Sequence, residues 1–174
     1  MPSPITTQIA DRLVHARTTV IEMVRSIPDD RFGDVPAQFD KNAAWLIGHL
    51  HLADDLTLSL LGVDRSGLAA PSKEHSGHFG PGSPGTVPLS IFRAALGSGG
   101  EAATRLEAGH ARLVDAVRAL PDSALARPIT EERVRAYFPD VGTLLLYMLW
   151  HDGWHAGQLS QWCKALGLGK PPTG

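Results

Sequence analysis

With a single cysteine, Cys163, the chain can form no internal disulfide, and a reducing compartment is the expectation. An excess of either charge is also missing: 16 Lys and Arg stand against 18 Asp and Glu, with no basic run or basic helix face. Nucleic acid, which needs concentrated positive charge, is therefore not an expected partner. The longest strongly apolar stretch, Leu144 to Trp150, falls far short of the roughly 20 residues of a membrane helix. The N-terminal residues Met1 to Gln8 lack both a basic start and an apolar core, so no secretory signal is expected. No alternating apolar–polar pattern of useful length occurs, which argues against strands. What remains is a cytoplasmic, soluble helical protein with no membrane partner. At 174 residues and 43% apolar composition, one domain spanning 1–174 with a sizeable core is the expectation.

Four long helical regions emerge from the periodicity, indicating an all-α bundle. The first runs from about Ile5 to Arg25, with Ile9, Leu13, Ala16, Val20 and Val24 as its apolar positions and Pro28 just beyond. The second runs from about Lys41 to Leu61, with Trp45, His49, Leu52, Leu56 and Leu60 expected to face inward and Gly62 as its stop. Residues 63–88 carry five glycines and four prolines, Gly67, Gly77, Gly80, Gly82, Gly85, Pro71, Pro81, Pro84 and Pro88, and read as one long irregular connection. A third region from about Leu89 to Leu120 is expected to break at Gly97-Ser98-Gly99-Gly100, and Pro121 ends it. A short helical turn is expected at Glu131 to Ala136. The last long helix runs from about Val141 to Leu166, closed by Gly167.

The segment Trp150-His151-Asp152-Gly153-Trp154-His155-Ala156-Gly157-Gln158-Leu159 carries the strongest chemical signal. Imidazoles four apart on a helix lie about 40° and about 6 Å apart, close enough to share one metal ion. His151, His155, Gln158 and Trp162 form one stripe expected to face the interior. Unpartnered imidazoles there would be destabilising by a few kcal/mol, so hydrogen bonds or a metal must engage them. His49, on the inward face of the second helix, can supply a third nitrogen, and three histidines leave coordination positions open, as in catalytic sites.

The other candidates are weaker. His51 points about 200° away from His49 and reads as a surface residue. His15 and His110 read as surface or helix-packing residues. His75 and His78 form an H-x-x-H pair in the glycine-rich connection, accounted for equally by a ligand or substrate contact and by loop polarity. Cys163, roughly 12 Å beyond His155, reads as a small buried thiol. Asp152 makes His-Asp-x-x-His, one methylene short of the metalloprotease motif, and is expected to orient a histidine or cap a partner. Gly153 reads as a point of close helix packing. Leu52 and Ala53 follow His49 where a ferritin-like dinuclear site needs a carboxylate, which argues against that class.

Asn42-x-x-Trp45-x-x-x-His49-Leu50, the long Gly/Pro connection, and His151-x-x-x-His155-x-Gly157-Gln158-Leu159 followed by Ala165-Leu166-Gly167 together resemble the DinB/YfiT-like superfamily over nearly the whole chain. The resemblance implies an up-down-down-up four-helix bundle with a metal triad at His49, His151 and His155. It also implies one divalent ion, nickel or zinc, with water completing its shell, and a homodimer. The activities implied are transfer of a low-molecular-weight thiol (bacillithiol, mycothiol or glutathione) to an electrophile, or mycothiol-dependent isomerisation.

The expectation is thus a metal-dependent, thiol-using transferase or isomerase acting on a small molecule. Gln158 and Asn42 are its candidate catalytic or supporting residues, and the 63–88 connection is expected to close one end of the pocket. A metal-dependent hydrolase is the alternative enzyme. A non-catalytic, stress-related metal-binding bundle, with His75 or His78 closing the coordination, is the alternative outside catalysis.

Overall fold

The computed structural model of the protein describes residues 4–65 and 71–168. Seven α-helices occur among them: α1 (Pro4–Ser26), α2 (Ala43–Leu61), α3 (Lys73–Ser76), α4 (Leu89–Leu96), α5 (Gly99–Ala119), α6 (Glu132–Arg135) and α7 (Val141–Ala165). A 3-10 turn at Asp122–Ala126 follows α5, and no β-strand is present among the described residues.

Local chemistry sets the ends of the long helices. Pro4 occupies the first turn of α1, where a missing N–H matters least. Asn42 caps α2 by accepting the Trp45 N–H at 2.9 Å, and Gly62 ends it in the left-handed conformation at φ 79°. Ser98 and Glu101 form a reciprocal capping box at the start of α5. The interruption after α4 therefore lies at Gly97 and Ser98; Gly99 and Gly100 are already helical, contrary to the expected break across all four residues. Asp140 caps α7 at the Thr143 N–H, 2.7 Å away.

Four long helices form the bundle. α1 packs on α5 and α7, and α2 packs on the same two, so α1 and α2 stand at opposite corners. Two apolar clusters make the core. One gathers Val20–Ile27 residues of α1 and its C-terminal extension, Ala43–Leu50 of α2, Ala102–Leu106 of α5 and Leu159–Cys163 of α7. The other gathers Ile9–Leu13, Leu58–Leu61, Leu113–Val117 and Val141–Met148 from the same helices. α1 and α7 therefore run one way through the bundle, and α2 and α5 run the other.

Between the clusters every long helix contributes buried polar side chains: Arg17 from α1, His51 and Asp54 from α2, His110 from α5, and His151, Asp152 and His155 from α7. Arg17 Nη2 donates to Asp54 Oδ1 at 3.0 Å and to Asp152 Oδ1 at 2.8 Å, and its Nε faces Asp152 Oδ2 at 3.4 Å. His110 Nδ1 lies 3.3 Å from Asp54, and its Nε2 reaches the Leu13 carbonyl at 3.1 Å. His110 is thus a helix-packing residue. The Arg17 guanidinium holds the Asp152 carboxyl below the usual carboxylate range, although burial opposes this.

Three expectations are corrected here. His51 is not on the surface: it is 5% exposed, and its Nε2 meets the Ala102 carbonyl at 3.2 Å. α2 is apolar on nearly all sides and packs against both α5 and α7, so a residue pointing away from His49 is also covered. For the same reason the inward stripe of α2 is displaced; Leu56 is 46% exposed, while Leu50, Asp54, Leu58 and Leu61 are buried. Gly153 is exposed, and a Cβ there would meet nothing within 4 Å, so it serves no close helix packing within the bundle.

The buried and exposed ion pairs differ sharply in expected weight. Arg17→Met leaves two carboxylates buried without their cation and should lower the unfolding free energy by about 3–5 kcal/mol. Arg118→Met, at the exposed Arg118–Asp11 pair, should change it by less than about 1 kcal/mol. Urea unfolding of the two variants checks the contrast.

Candidate metal centre

The candidate site begins with helix register. Four residues separate His151 from His155 on α7, and both side chains turn inward at 6% exposure. His49 on α2 faces them, half-buried. The Nε2 atoms of His49 and His155 each lie 3.1 Å from His151 Nε2. One ligand nitrogen from each ring falls within 4.8 Å of the others. Nitrogens sharing one ion through bonds of about 2.0–2.1 Å lie about 3.0–3.4 Å apart, so both close pairs match that requirement.

Proton placement strengthens the fit. His49 Nδ1 is 2.9 Å from the Phe79 carbonyl oxygen, which can only accept, so Nδ1 carries the proton and Nε2 offers a lone pair. His155 Nδ1 is 2.7 Å from Gln158 Oε1, which selects the same tautomer. His151 Nε2 holds at most one proton and can satisfy only one neighbour. At least one of the two close pairs therefore sets lone pair against lone pair, a repulsion that a cation among the three nitrogens relieves. Burial, with the neighbouring imidazoles adding to it, pushes His155 down to about 3; burial pushes His49 down to about 4 against the opposing bond to Phe79. Both rings are neutral at pH 7, the form in which histidine binds metals.

Two residues hold His49: Trp45, which the sequence placed on the same inward face, and Phe79, which it did not single out. Trp45 stacks on its ring at 4.5 Å and 10°. Phe79, fully buried, supplies the carbonyl and packs over Gly48, where any Cβ would sit 2.1 Å from the ring. The signal was Gly48 itself: a glycine inside an apolar helix is unfavourable by about 1 kcal/mol and so implies a close neighbour. The connection after α2 is thus partly built structure, and Trp45 Nε1 bonds to Ser83 Oγ at 2.7 Å within it. The part of the sequence-expected loop at 66–70 lies outside the described residues.

The remaining candidates are placed as follows. Gln158 is half-buried behind His155 and also lines a cleft of about 810 Å³ with Phe39, Trp154, Gly157 and Lys164. Asn42 has its carboxamide engaged by backbone: Oδ1 accepts from Trp45 and Val87, and Nδ2 donates to Val87 and, at 3.3 Å, to Gly33. His75 bonds to Ser72 Oγ at 3.0 Å and His78 is exposed; neither belongs to the triad. His15 is exposed. Cys163 is buried, and burial pushes its thiol up to about 11.

A helical bundle in which two helices direct three imidazoles at one point defines a class of bundle able to hold a metal ion. The family model of the DinB superfamily matches residues 12–159, a span that includes all three histidines. The chain belongs to the DinB superfamily. No curated protein matches it.

The lowered histidines make metal-free stability depend on pH. Between the ordinary value of 6.5 and the values of about 4 and about 3, the unfolded chain binds more protons than the folded one. Their contribution is therefore present above pH 6.5 and lost as pH falls through the folded values. Urea midpoints of chelator-treated protein should decline over that window, and the decline should be smaller in a His49→Gln, His155→Gln double variant.

Proposed function

We propose that the protein is a metal-dependent enzyme that transfers a low-molecular-weight thiol to an electrophilic small molecule, with His49, His151 and His155 as the ligands. The observation that carries this reading is the convergence of three Nε2 atoms with no fourth His, Cys, Asp or Glu in the group among the described residues. Three protein ligands are the pattern of catalytic sites, whereas structural sites are closed by four. A divalent ion such as nickel or zinc, bound by neutral ligands, would supply the undiluted positive charge that favours a thiolate at neutral pH.

The chain's own groups prepare the site. The Phe79 carbonyl and Gln158 Oε1 hold His49 and His155 with their Nε2 lone pairs directed inward. Trp45 shields one face of His49. Asp152, the carboxylate beside the triad, is engaged by Arg17 and is not free to activate water, which supports thiol chemistry over hydrolysis. Asn42 supports the site only by holding the start of α2.

A homodimer is part of the same proposal. From Val141 to Cys163 the sole charged residue of α7 is Asp152, which is buried, so the outer face carries no charge. Leu146, Tyr147, Trp150 and Trp154 are 60%, 38%, 53% and 53% exposed on that face, and the Trp150 and Trp154 rings stand 5.0 Å apart. A helix without a charged face is normally covered on all sides. Gly153 and Gly157 line a cleft together with Trp154. Protrusions and recesses on one strip suit a second copy of the strip in a two-fold interface.

Thiol conjugation to a fluorogenic electrophile tests the activity, using glutathione, bacillithiol and mycothiol in turn. Chelation should abolish turnover, nickel or zinc should restore it, and His151→Ala should lower it at least ~100-fold. Turnover that survives His151→Ala, or that needs no thiol, overturns the reading. Light scattering should show a dimer for the parent protein and a monomer for Trp150→Lys, Trp154→Lys; a monomeric parent overturns the interface.

A further inference from the structure

Of the three clustered histidines, two have the nitrogen remote from the cluster satisfied, His49 by the Phe79 carbonyl and His155 by Gln158. His151 does not. Its Nδ1 is buried without a hydrogen-bond partner, and the side chain that faces it is Asp152, with Oδ1 at 3.9 Å. A buried N–H left without an acceptor is unfavourable by about 1–3 kcal/mol, so a small ring rotation that closes this gap is favoured.

Asp152 cannot choose its own position. Its two oxygens are drawn by Arg17, with Oδ1 2.8 Å from Nη2 and Oδ2 3.4 Å from Nε. Arg17 is 1% exposed, comes from α1, and touches none of the three histidines within hydrogen-bond reach. Its Nη2 also reaches Asp54 of α2, and the two contacts to Asp152, from Nη2 and Nε, do not pass through that residue. Carboxylates that accept the remote N–H of a ligating histidine fix its ring orientation and raise its basicity.

We infer that Arg17 is a positioning residue of the metal centre: it aims Asp152, and Asp152 aims His151. The chain of contacts runs from α1 through α7 to the cluster, so the affinity for metal depends on a residue in a helix that supplies no ligand. The inference rests on the metal-binding reading above. Asp54 shares the same guanidinium yet faces no ligand, so its loss leaves the Arg17–Asp152 contact intact and separates positioning from bulk stability.

Competition between the purified protein and a chromogenic chelator for Zn²⁺, repeated with Co²⁺ to read the ligand-field spectrum, tests this. Asp152→Asn should weaken Zn²⁺ binding by about 10–100-fold, and Arg17→Lys, which keeps the charge but not the fork, by about 10-fold with an altered Co²⁺ spectrum. Asp54→Asn should lower the melting temperature while leaving the affinity within about 3-fold and the spectrum unchanged. Equal loss of affinity in Arg17→Lys and Asp54→Asn, or no loss in Arg17→Lys, overturns the inference while the metal reading stands. Parent protein that binds neither ion overturns both. Should the Arg17 variant fail to fold, ¹⁵N-histidine spectra of the Zn²⁺-loaded parent decide: a slowly exchanging His151 Nδ1–H supports the inference, and a freely exchanging one overturns it.

Discussion

A buried guanidinium binds the middle of this bundle together. Arg17 reaches one carboxylate on α2 and another on α7, while His110 of α5 holds the first of these from the other side. Desolvating these groups is expensive, and removal of Arg17 leaves two buried carboxylates without their cation. The exposed pairs, such as Arg25–Glu107, carry little weight because water screens them. The polar layer also determines helix register. Each long helix places a buried polar residue between two apolar clusters, and His151 lies beside Asp152 at that level.

The three-histidine cluster is built on this layer but completed from outside it. α7 contributes two ligands by virtue of helical spacing alone, whereas the third depends on how closely α2 approaches. Phe79 governs that approach from the connection after α2, through its ring over Gly48 and its carbonyl on His49. A backbone carbonyl is indifferent to side-chain identity. What Phe79 contributes through its side chain is the anchoring of that carbonyl at one place. Gln158 does for His155 what Phe79 does for His49, and it is one helical turn away from its partner.

Much of the fold was legible because apolar periodicity and capping residues act locally. Asn42, Gly62, Ser98, Pro121 and Asp140 or their neighbours bracket the long helices within one or two residues of the expected bounds. The triad was legible for the same reason in His151 and His155, and for His49 through the inward side of α2. The errors fell where helices are covered on more than one face. His51 and Leu56 exchanged places relative to expectation because burial on α2 follows two neighbouring helices, and no single stripe describes it. Arg17 was invisible as a core residue because arginine on an amphipathic helix ordinarily lies at the surface.

By itself the order of residues determined which stretches are helical, where they stop, and that two imidazoles on α7 stand on one side four positions apart. These follow from hydrogen bonds, caps and rotations that reach only a few residues along the chain. Only the tertiary structure decided which carbonyl fixes His49, which carboxylate faces His151, and which cation stands behind that carboxylate. Those partners lie 30, 1 and 135 positions away along the chain, Phe79 from His49, Asp152 from His151 and Arg17 from Asp152. Even the adjacent pair depends on distance, because Asp152 is directed by a guanidinium that packing alone brings from the far end of the sequence.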